Sequence, residues 1–432
     1  MDFNVIKIIV YKLKGSKHYL NFTWSLFDQI IRLFVSIIIG AIVARKLGVI
    51  DYGILSFFIT YFSLFNQLTG LSFESQLISK VIINPESENE YWGSYLFARL
   101  LISVILITIS IFIFYAFFAD KYKQSNYIIA IGVISILFKS LNIYEVWFQA
   151  KGLQYLTIKS KIVSNLTINI FKLLVAFYYP NITVFLFVFS LDIFLNTYFI
   201  FTVFKSISFT SKWSYSYNKI KGIIKNSLIL ILSSLLIYLY SRIDVFFIKY
   251  YLSDHDLGIY TAAVTISSFI PIGALIAYNI LIPVVSNKKK INDVIYLDYL
   301  QNLFKYFFVA GVILSLLVYI FSNFIISTIF GEMYLESILI LKIHVFTNVF
   351  IFLGIVQNIW LSIENKGNLI LIRSIVGLCI SITLNYYFLD MYGIISCAVI
   401  SLFVQLISSF LLNRLTCKQI FKMQAKAFIF FI

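Results

Sequence analysis

Charge, cysteine, histidine and acidic side chains are all scarce in this chain. Only 12% of its 432 residues are Asp, Glu, Lys or Arg, where ordinary soluble domains carry roughly a quarter. With 61% hydrophobic residues and a mean hydropathy of +0.93, a soluble fold could not cover its own surface. The three cysteines, Cys379, Cys397 and Cys417, lie in the last quarter without metal or redox spacing, so no disulfide framework is implied. The three histidines, His18, His255 and His344, are far apart in sequence. No His/Cys/Asp cluster has metal-ligand spacing and no Walker-type glycine loop occurs, so neither a metal nor another cofactor is expected. A cleavable secretory signal is not recognisable at the N-terminus, and its first long apolar run is expected to be a retained helix. The chain is thus an all-α polytopic membrane protein.

A spanning helix needs about 20 mostly apolar residues. Cutting at polar breaks such as Asn84-Pro85-Glu86, Asp120-Lys121, Lys288-Lys289-Lys290 and Asp390 gives twelve segments. They cover 21–44, 52–75, 92–118, 127–150, 158–179, 183–204, 224–249, 258–285, 302–323, 334–362, 367–389 and 392–413. The runs are too long and too uniformly apolar for the alternating strands of a membrane barrel. The expected division is a six-helix bundle over 1–204, a cytoplasmic linker over 205–223, and a second six-helix bundle with a basic tail over 224–432.

Lys and Arg outnumber Asp and Glu by 34 to 19, a net charge of +15. Counted over alternate loops and their flanks, 23 cations fall on the side of the N-terminus and 5 on the other. The positive-inside rule then puts both termini in the cytoplasm. The tail cations Arg414, Lys418, Lys422 and Lys426 are read as anchoring at anionic membrane lipid rather than as a nucleic-acid site. Six cations remain inside spans: Arg32, Arg99, Lys139, Lys172, Arg242 and Lys342.

The two halves echo one another. Leu47–Phe57 (LGVIDYGILSF) and Leu252–Ala262 (LSDHDLGIYTA) align at a shift of 205, and Trp147 (WFQAKG) and Trp360 (WLSIEN) at a shift of 213. The matches join helices of equal orientation, which predicts parallel repeats about an axis along the membrane normal.

Polar residues recur at helical spacing inside several spans. Asn21, Ser25, Asp28, Arg32 and Ser36 share a face of the first; Ser63, Asn66, Gly70 and Glu74 line the second; Ser135, Lys139, Asn142, Glu145 and Gln149 mark the fourth. Asn165, Asn169 and Lys172 follow on the fifth. The other half offers Ser234, Tyr238, Arg242 and Asp244, then Lys342, His344 and Asn348, then Arg373, Gly377, Ser381 and Asn385. Charges in hydrocarbon are costly and face a bundle interior or a watery cavity. Pairs such as Asp28–Arg32 and Arg242–Asp244 can be purely structural, and Arg99, Glu74 and Asp192 are expected near an interface where long side chains snorkel. Lys139, Lys172 and Lys342 have no acid one helical turn away. Several such cations around a cavity repel one another unless an anion enters, and phosphate is suited to both Arg and Lys.

The runs ARKLGVIDYGILSF (Ala44–Phe57), WFQAKGLQYLTI (Trp147–Ile158), SRIDVFFIKYYLSDHDLGIYTAA (Ser241–Ala263) and MYGIISCAVISL (Met391–Leu402) resemble the O-antigen-type polysaccharide flippases of the multidrug/oligosaccharidyl-lipid/polysaccharide exporter superfamily. The resemblance covers nearly the whole chain. It departs at Gly53-Ile54-Leu55, where the family has a Gly-Leu-Tyr-like ending, and at Glu74, where a small or neutral residue is usual. It implies two pseudo-symmetric six-helix bundles around a V-shaped central cavity in the bacterial cytoplasmic (inner) membrane. It further implies a polyprenyl-pyrophosphate-linked oligosaccharide as cargo for O-antigen or capsule assembly, with a polysaccharide polymerase and glycosyltransferases as partners. On that reading Arg32, Lys139, Lys172, Arg242 and Lys342 meet the pyrophosphate and sugar. Asp28, Glu145 and Asp244 are then candidates for coupling to H⁺ or Na⁺. Two alternatives stay open: an ion-coupled drug or metabolite exporter of the same superfamily, and a membrane glycosyltransferase or polymerase. The enzyme normally needs a sizeable external loop, and every external loop predicted here is short.

Overall fold

The computed structural model describes residues 32, 35–70, 74–118, 125–207 and 213–429, and among these every regular element is a helix. Helix α1 covers 35–47, followed by α2 (Val49–Thr69), α3 (Glu74–Ile83), α4 (Glu88–Phe117), α5 (Ser125–Ser140), α6 (Ile143–Ala150), α7 (Gln154–Tyr178) and α8 (Ile182–Ile207). Then come α9 (Tyr217–Tyr251), α10 (Asp254–Ile291), α11 (Asp293–Ile329), α12 (Ser337–His344), α13 (Thr347–Ile363), α14 (Asn368–Leu406), α15 (Asn413–Thr416) and α16 (Lys418–Ile429). Ten helical stretches of the described residues are long and apolar enough to cross a membrane. The last, Asn368–Thr416, contains Gly393 at φ 60°, where two helices join, so it holds both the eleventh and the twelfth expected spans. Most of the first expected span, Asp28 included, lies outside the described residues.

The chain divides into two compact units, one of Met1–Lys46 with Phe58–Leu235, the other of Leu47–Phe57 with Leu236–Ile432. The first packs Trp92, Tyr95, Trp147 and Phe148 with Leu77, Ile143 and Ile223. Residues after the expected linker's midpoint belong to this core. Trp213 stacks on Trp92 at 6.2 Å, Ser216 N–H donates to Ser94 Oγ at 3.0 Å, and Lys219 pairs with Glu90 at 2.6 Å. A Cβ at Gly93 would meet Ser214 O at 2.0 Å, so the segment lies directly on the helix backbone. The second unit packs Phe304, Phe308, Phe352, Leu353 and Trp360 against Ile420 and Ala427 of α16. Helix α9 continues unbroken through Leu235 and Leu236, where the units divide.

The repeat seen in sequence has a backbone counterpart. Gly152 (φ 65°) and Asn365 (φ 54°) are equivalent at the 213 shift, and both close a helix in the left-handed conformation. Leu153 N–H donates to Phe148 O and Lys366 N–H to Leu361 O, each at 2.9 Å, the same terminating bond in both halves. Glycine and asparagine are the residues that tolerate this conformation at a helix end.

A second equivalence fixes a helix crossing within the second unit. A Cβ on Gly53 would lie 2.1 Å from Asp254 O, and one on Gly258 2.1 Å from Val49 O. Gly53 and Gly258 are 205 residues apart, as are Val49 and Asp254, so the contact has local two-fold character. Helices in lipid gain little from hydrophobicity towards one another and cohere through close packing and hydrogen bonds. Two glycines meeting backbone to backbone supply that packing. The start of α10 is held by a capping box of Ser253 and Asp256, and Lys249 pairs with Asp254 beside it.

At the other end of the second unit, Lys289 Nζ and Tyr296 Oη both donate to Glu364 Oε1, at 2.6 and 3.1 Å. Burial pushes the Glu364 carboxyl up, but these bonds and the charges of Lys289 and Lys366 hold it below its ordinary 4.5.

Two predictions follow from this packing. Gly53→Ala and Gly258→Ala should each cost about 1–3 kcal/mol as overpacking, lowering the melting temperature in detergent. Gly222→Ala and Gly273→Ala, with nothing within 4 Å of the added Cβ, should leave it unchanged or raise it. Because the folded pKa of Glu364 is depressed, its contribution is present above the ordinary carboxylate range and lost as pH falls below it. Melting followed from pH 6 to about 3 should therefore fall more steeply in the wild type than in Glu364→Gln.

Candidate functional site

Polar residues of the second and fourth expected spans, with Arg99 of the third, line a cavity of about 350 Å³ formed by Asn66, Gln67, Gly70, Glu74, Arg99, Lys139, Asn142, Glu145 and Gln149 among others. Its wall contains an interruption in the fourth expected span, between α5 and α6. There Leu141 and Asn142 N–H bond three residues back, to Phe138 and Lys139 O, in place of the four-residue ladder. Helices α2 and α5 meet where Asn66 Nδ2 donates to Ser135 Oγ at 3.2 Å. Glu145 accepts from Asn142 Nδ2 at 3.1 Å and pairs with Lys161 of α7.

Arg99 corrects the expectation that it snorkels to an interface. It is 1% exposed, and its Nη2 donates to Lys139 O, at the interruption, at 2.9 Å. Its Nη1 lies 3.7 Å from Glu74 Oε1, and the Tyr95 ring sits 5.6 Å from Cζ. Nε and Nη1 are buried without a hydrogen-bond partner. The nearby Lys139 ammonium forms no ion pair among the described residues. Two unsatisfied guanidinium nitrogens and a free ammonium face one polar cavity.

The second unit interrupts the corresponding span between α12 and α13, where Phe346 N–H bonds to Ile343 O and Asn348 N–H to Val345 O. The exposed carbonyls are taken up: Thr347 Oγ1 donates to His344 O at 2.7 Å and Ser315 Oγ to Val345 O at 3.0 Å. A cavity of about 250 Å³ adjoins this break, lined by Tyr240, Arg242, Asp244, His344, Thr347, Ser381, Ser401 and Gln405 among others. Asp244 turns its carboxylate to the Tyr260 hydroxyl, which donates to it, rather than to Arg242. His344 Nδ1 lies 2.9 Å from Ser267 Oγ, and Asn348 Nδ2 also bonds Ser267.

The remaining expected site residues are dispersed. Lys172 pairs with Asp192 of α8 at 3.2 Å, a partner on the neighbouring helix rather than one turn away. Lys342 lies 5.6 Å from the Tyr319 ring, in a groove with Asp256, Glu336 and Ile395 and away from His344's cavity. Arg32 is half-buried. Arg373, named in the sequence as part of a polar stripe and not among the cargo-binding cations, donates from Nε to Ser408 O at 2.9 Å while its Nη atoms reach Asn358 and Ser409, each at 3.3 Å. Ile407–Leu411 is a π-turn that presents Ser408 and Ser409, and Gln424 of α16 donates to Ser409 O at 3.0 Å. Its polar partners account for Arg373 structurally.

Residues 20–289 match the family model described as polysaccharide biosynthesis protein. No curated protein matches the chain by sequence. The fold is similar to that of lipid II flippase MurJ in an inward closed conformation, with a TM-score of 0.73 and 18% identity over 94% of this chain and 91% of that one. It is also similar to an inward-facing multidrug resistance MATE family transporter of the MOP superfamily, with a TM-score of 0.69 and 14% identity over 90% and 96%. A Pyrococcus furiosus MOP superfamily transporter, described as having a binding pocket of reverse polarity, aligns with a TM-score of 0.62 and 13% identity over 95% and 98%. The likeness establishes a fold of two pseudo-symmetric helical bundles.

The Tyr260 hydroxyl donates to one oxygen of Asp244 and Val245 N–H to the other, at 2.9 Å, which gives a direct test of the second cavity. Tyr260→Phe should cost about 1–3 kcal/mol by leaving a buried carboxylate short of a donor. In an Asp244→Asn background the same change should cost less, and the double-mutant cycle, read by thermal unfolding in detergent, should give a clear coupling energy.

Proposed function

The chain belongs to the polysaccharide biosynthesis protein family, and from that premise we propose that it translocates a polyprenyl-pyrophosphate-linked oligosaccharide, an O-antigen or capsule repeat unit, across the bacterial inner membrane. It is a transporter rather than an enzyme. The observation that carries the reading is the first unit's cavity, in which Arg99 stands with two unsatisfied donors and Lys139 without an ion pair among the described residues, amid amides and carboxylates. Cations with free donors receive phosphoryl oxygens, Arg through planar geometry and Lys as a point charge. Asn66, Gln67, Asn142 and Gln149 line the same cavity, and side-chain amides both donate to and accept from sugar hydroxyls. An interrupted helix beside a polar cavity is a recurring way for transporters to line a binding site near the bilayer centre.

In this reading both termini are cytoplasmic and the halves 1–204 and 224–432 rock about the cargo by alternating access. Arg32, Arg242, Lys172 and Lys342 are secondary candidates for contact with the moving cargo. Glu145 and Asp244 are candidates for ion coupling, with Asp28 added from the sequence. Lys172 and Glu145 enter with partners already engaged, Asp192 and Lys161, so they act only if those pairs open.

A second reading, an ion-coupled exporter of small molecules, draws on the likeness to MATE transporters and on the buried Asp244–Tyr260 pair. The two part on a cellular phenotype. In a deletion host complemented with the Lys139→Gln/Arg242→Gln double variant, surface polysaccharide should be lost while membrane protein levels stay normal, as read by polysaccharide gel and immunoblot. Full polysaccharide in that strain would remove the flippase assignment, and altered drug tolerance in its place would favour the exporter.

A further inference from the structure

Among the described residues, the charged groups that line the first unit's cavity with Arg99 are three. Glu74 comes from α3, Lys139 from α5, and Glu145, already paired to Lys161 of α7, from α6. Glu74 is the acid nearest the guanidinium, yet at 3.7 Å from Nη1 it makes an ion pair without a hydrogen bond. Its side chain is 42% exposed, whereas Arg99 is 1% exposed. Burying a cation is tolerable only when it is paired and hydrogen-bonded. Here Nη2 donates to Lys139 O, while Nε and Nη1 have no hydrogen-bond partner among the described residues.

We infer that Arg99 is an oxyanion-binding residue of the first cavity and that Glu74 is its resident stand-in anion, displaced when an oxyanion-bearing ligand enters. Glu74 neutralises Arg99 at a distance too long to satisfy its donors. A tetrahedral phosphoryl group or a sugar carboxylate brings several acceptor oxygens and fills the orphan donors, with Lys139 supplying a second positive charge. The carbonyl of Lys139 fixes the guanidinium through Nη2, so the remaining nitrogens are presented in one orientation. Arg99 cannot swing away to solvent, and the mobile partner in the exchange is the half-exposed Glu74. The inference deepens the flippase reading and rests on it for the origin of the ligand. Its chemistry, an oxyanion exchanged for a carboxylate, is testable without cargo.

Full-length protein in detergent is titrated with inorganic pyrophosphate and separately with glucuronate, at constant ionic strength, by calorimetry. Glu74→Gln should bind the preferred probe about fivefold more tightly than the wild type, since a half-exposed competing charge is worth about 1 kcal/mol. Arg99→Lys, which keeps charge but not the planar donor set, should bind it about tenfold more weakly. Preference for pyrophosphate assigns the site to the lipid carrier, and preference for glucuronate to an acidic sugar. A merely structural role for Glu74 predicts equal or weaker binding with a lowered melting temperature, which overturns the inference, as does equal binding by all three proteins. Should Arg99→Lys fail to fold, the tightening by Glu74→Gln and its loss in Glu74→Gln/Lys139→Gln decide the matter. Failure of the two readings is distinguishable. Indifference of pyrophosphate and glucuronate binding to residue 74 sinks the exchange but leaves the polysaccharide phenotype standing. Full polysaccharide in the double variant described above sinks the flippase while the oxyanion site stands.

Discussion

A helix inside hydrocarbon can be interrupted only where something other than water takes up the carbonyls it releases. An unsatisfied backbone group there costs several kcal/mol, so broken helices persist at membrane depth only where protein or a cavity receives them. This chain breaks the same span in both halves, at Ser140–Asn142 and at His344–Phe346. Each break has recruited donors: Arg99 for Lys139 O, and Thr347 and Ser315 for His344 and Val345 O. The polar groups needed to make the breaks tolerable are the ones that line the cavities. Local backbone geometry and the candidate sites are therefore one constraint seen twice.

The repeated glycines serve the opposite need. Gly53 and Gly258 carry no side chain so that α2 and α10 can touch through backbone, and Gly152 and Asn365 end their helices in the left-handed conformation. The sequence halves have diverged almost everywhere else. Among the positions that still correspond, these four are ones that backbone stereochemistry makes hard to replace, because a Cβ collides or φ is positive.

The apolar runs and their polar stripes were legible in sequence because length and spacing are local properties. Asn66 and Ser135, named from separate helices, do meet, and Lys139, Glu145 and Glu74 share one cavity. Arg99 was misjudged because it stands near the start of an apolar run. The helix begins earlier, at Glu88, which places Arg99 about three turns inside it. The helix breaks were not legible, since neither carries proline or glycine. Asn142, a residue type favoured at helix starts, was the one available signal. The partner of Lys172 was missed for another reason: spacing rules see acids on the same helix, and Asp192 is on the next. Similarly, no composition shift marks the division at Leu235, because α9 runs straight through it.

The two halves share a scaffold but have spent their polar groups differently. In the second unit Asp244 has Tyr260, His344 has Ser267, and Arg373 has Ser408, Ser409 and Asn358, so these three groups are engaged. In the first unit Arg99 keeps two empty nitrogens and Lys139 has no ion-pair partner among the described residues. A buried donor left empty is a standing cost of about 1–3 kcal/mol, and native proteins carry few of them. Such a cost persists where a ligand relieves it during the working cycle. The bonded groups of the second cavity are suited to hold its conformation, and Arg99 with its unfilled donors to hold something else. That asymmetry within a repeat, more than the count of cations, is the reason to look for anionic cargo in the N-terminal half.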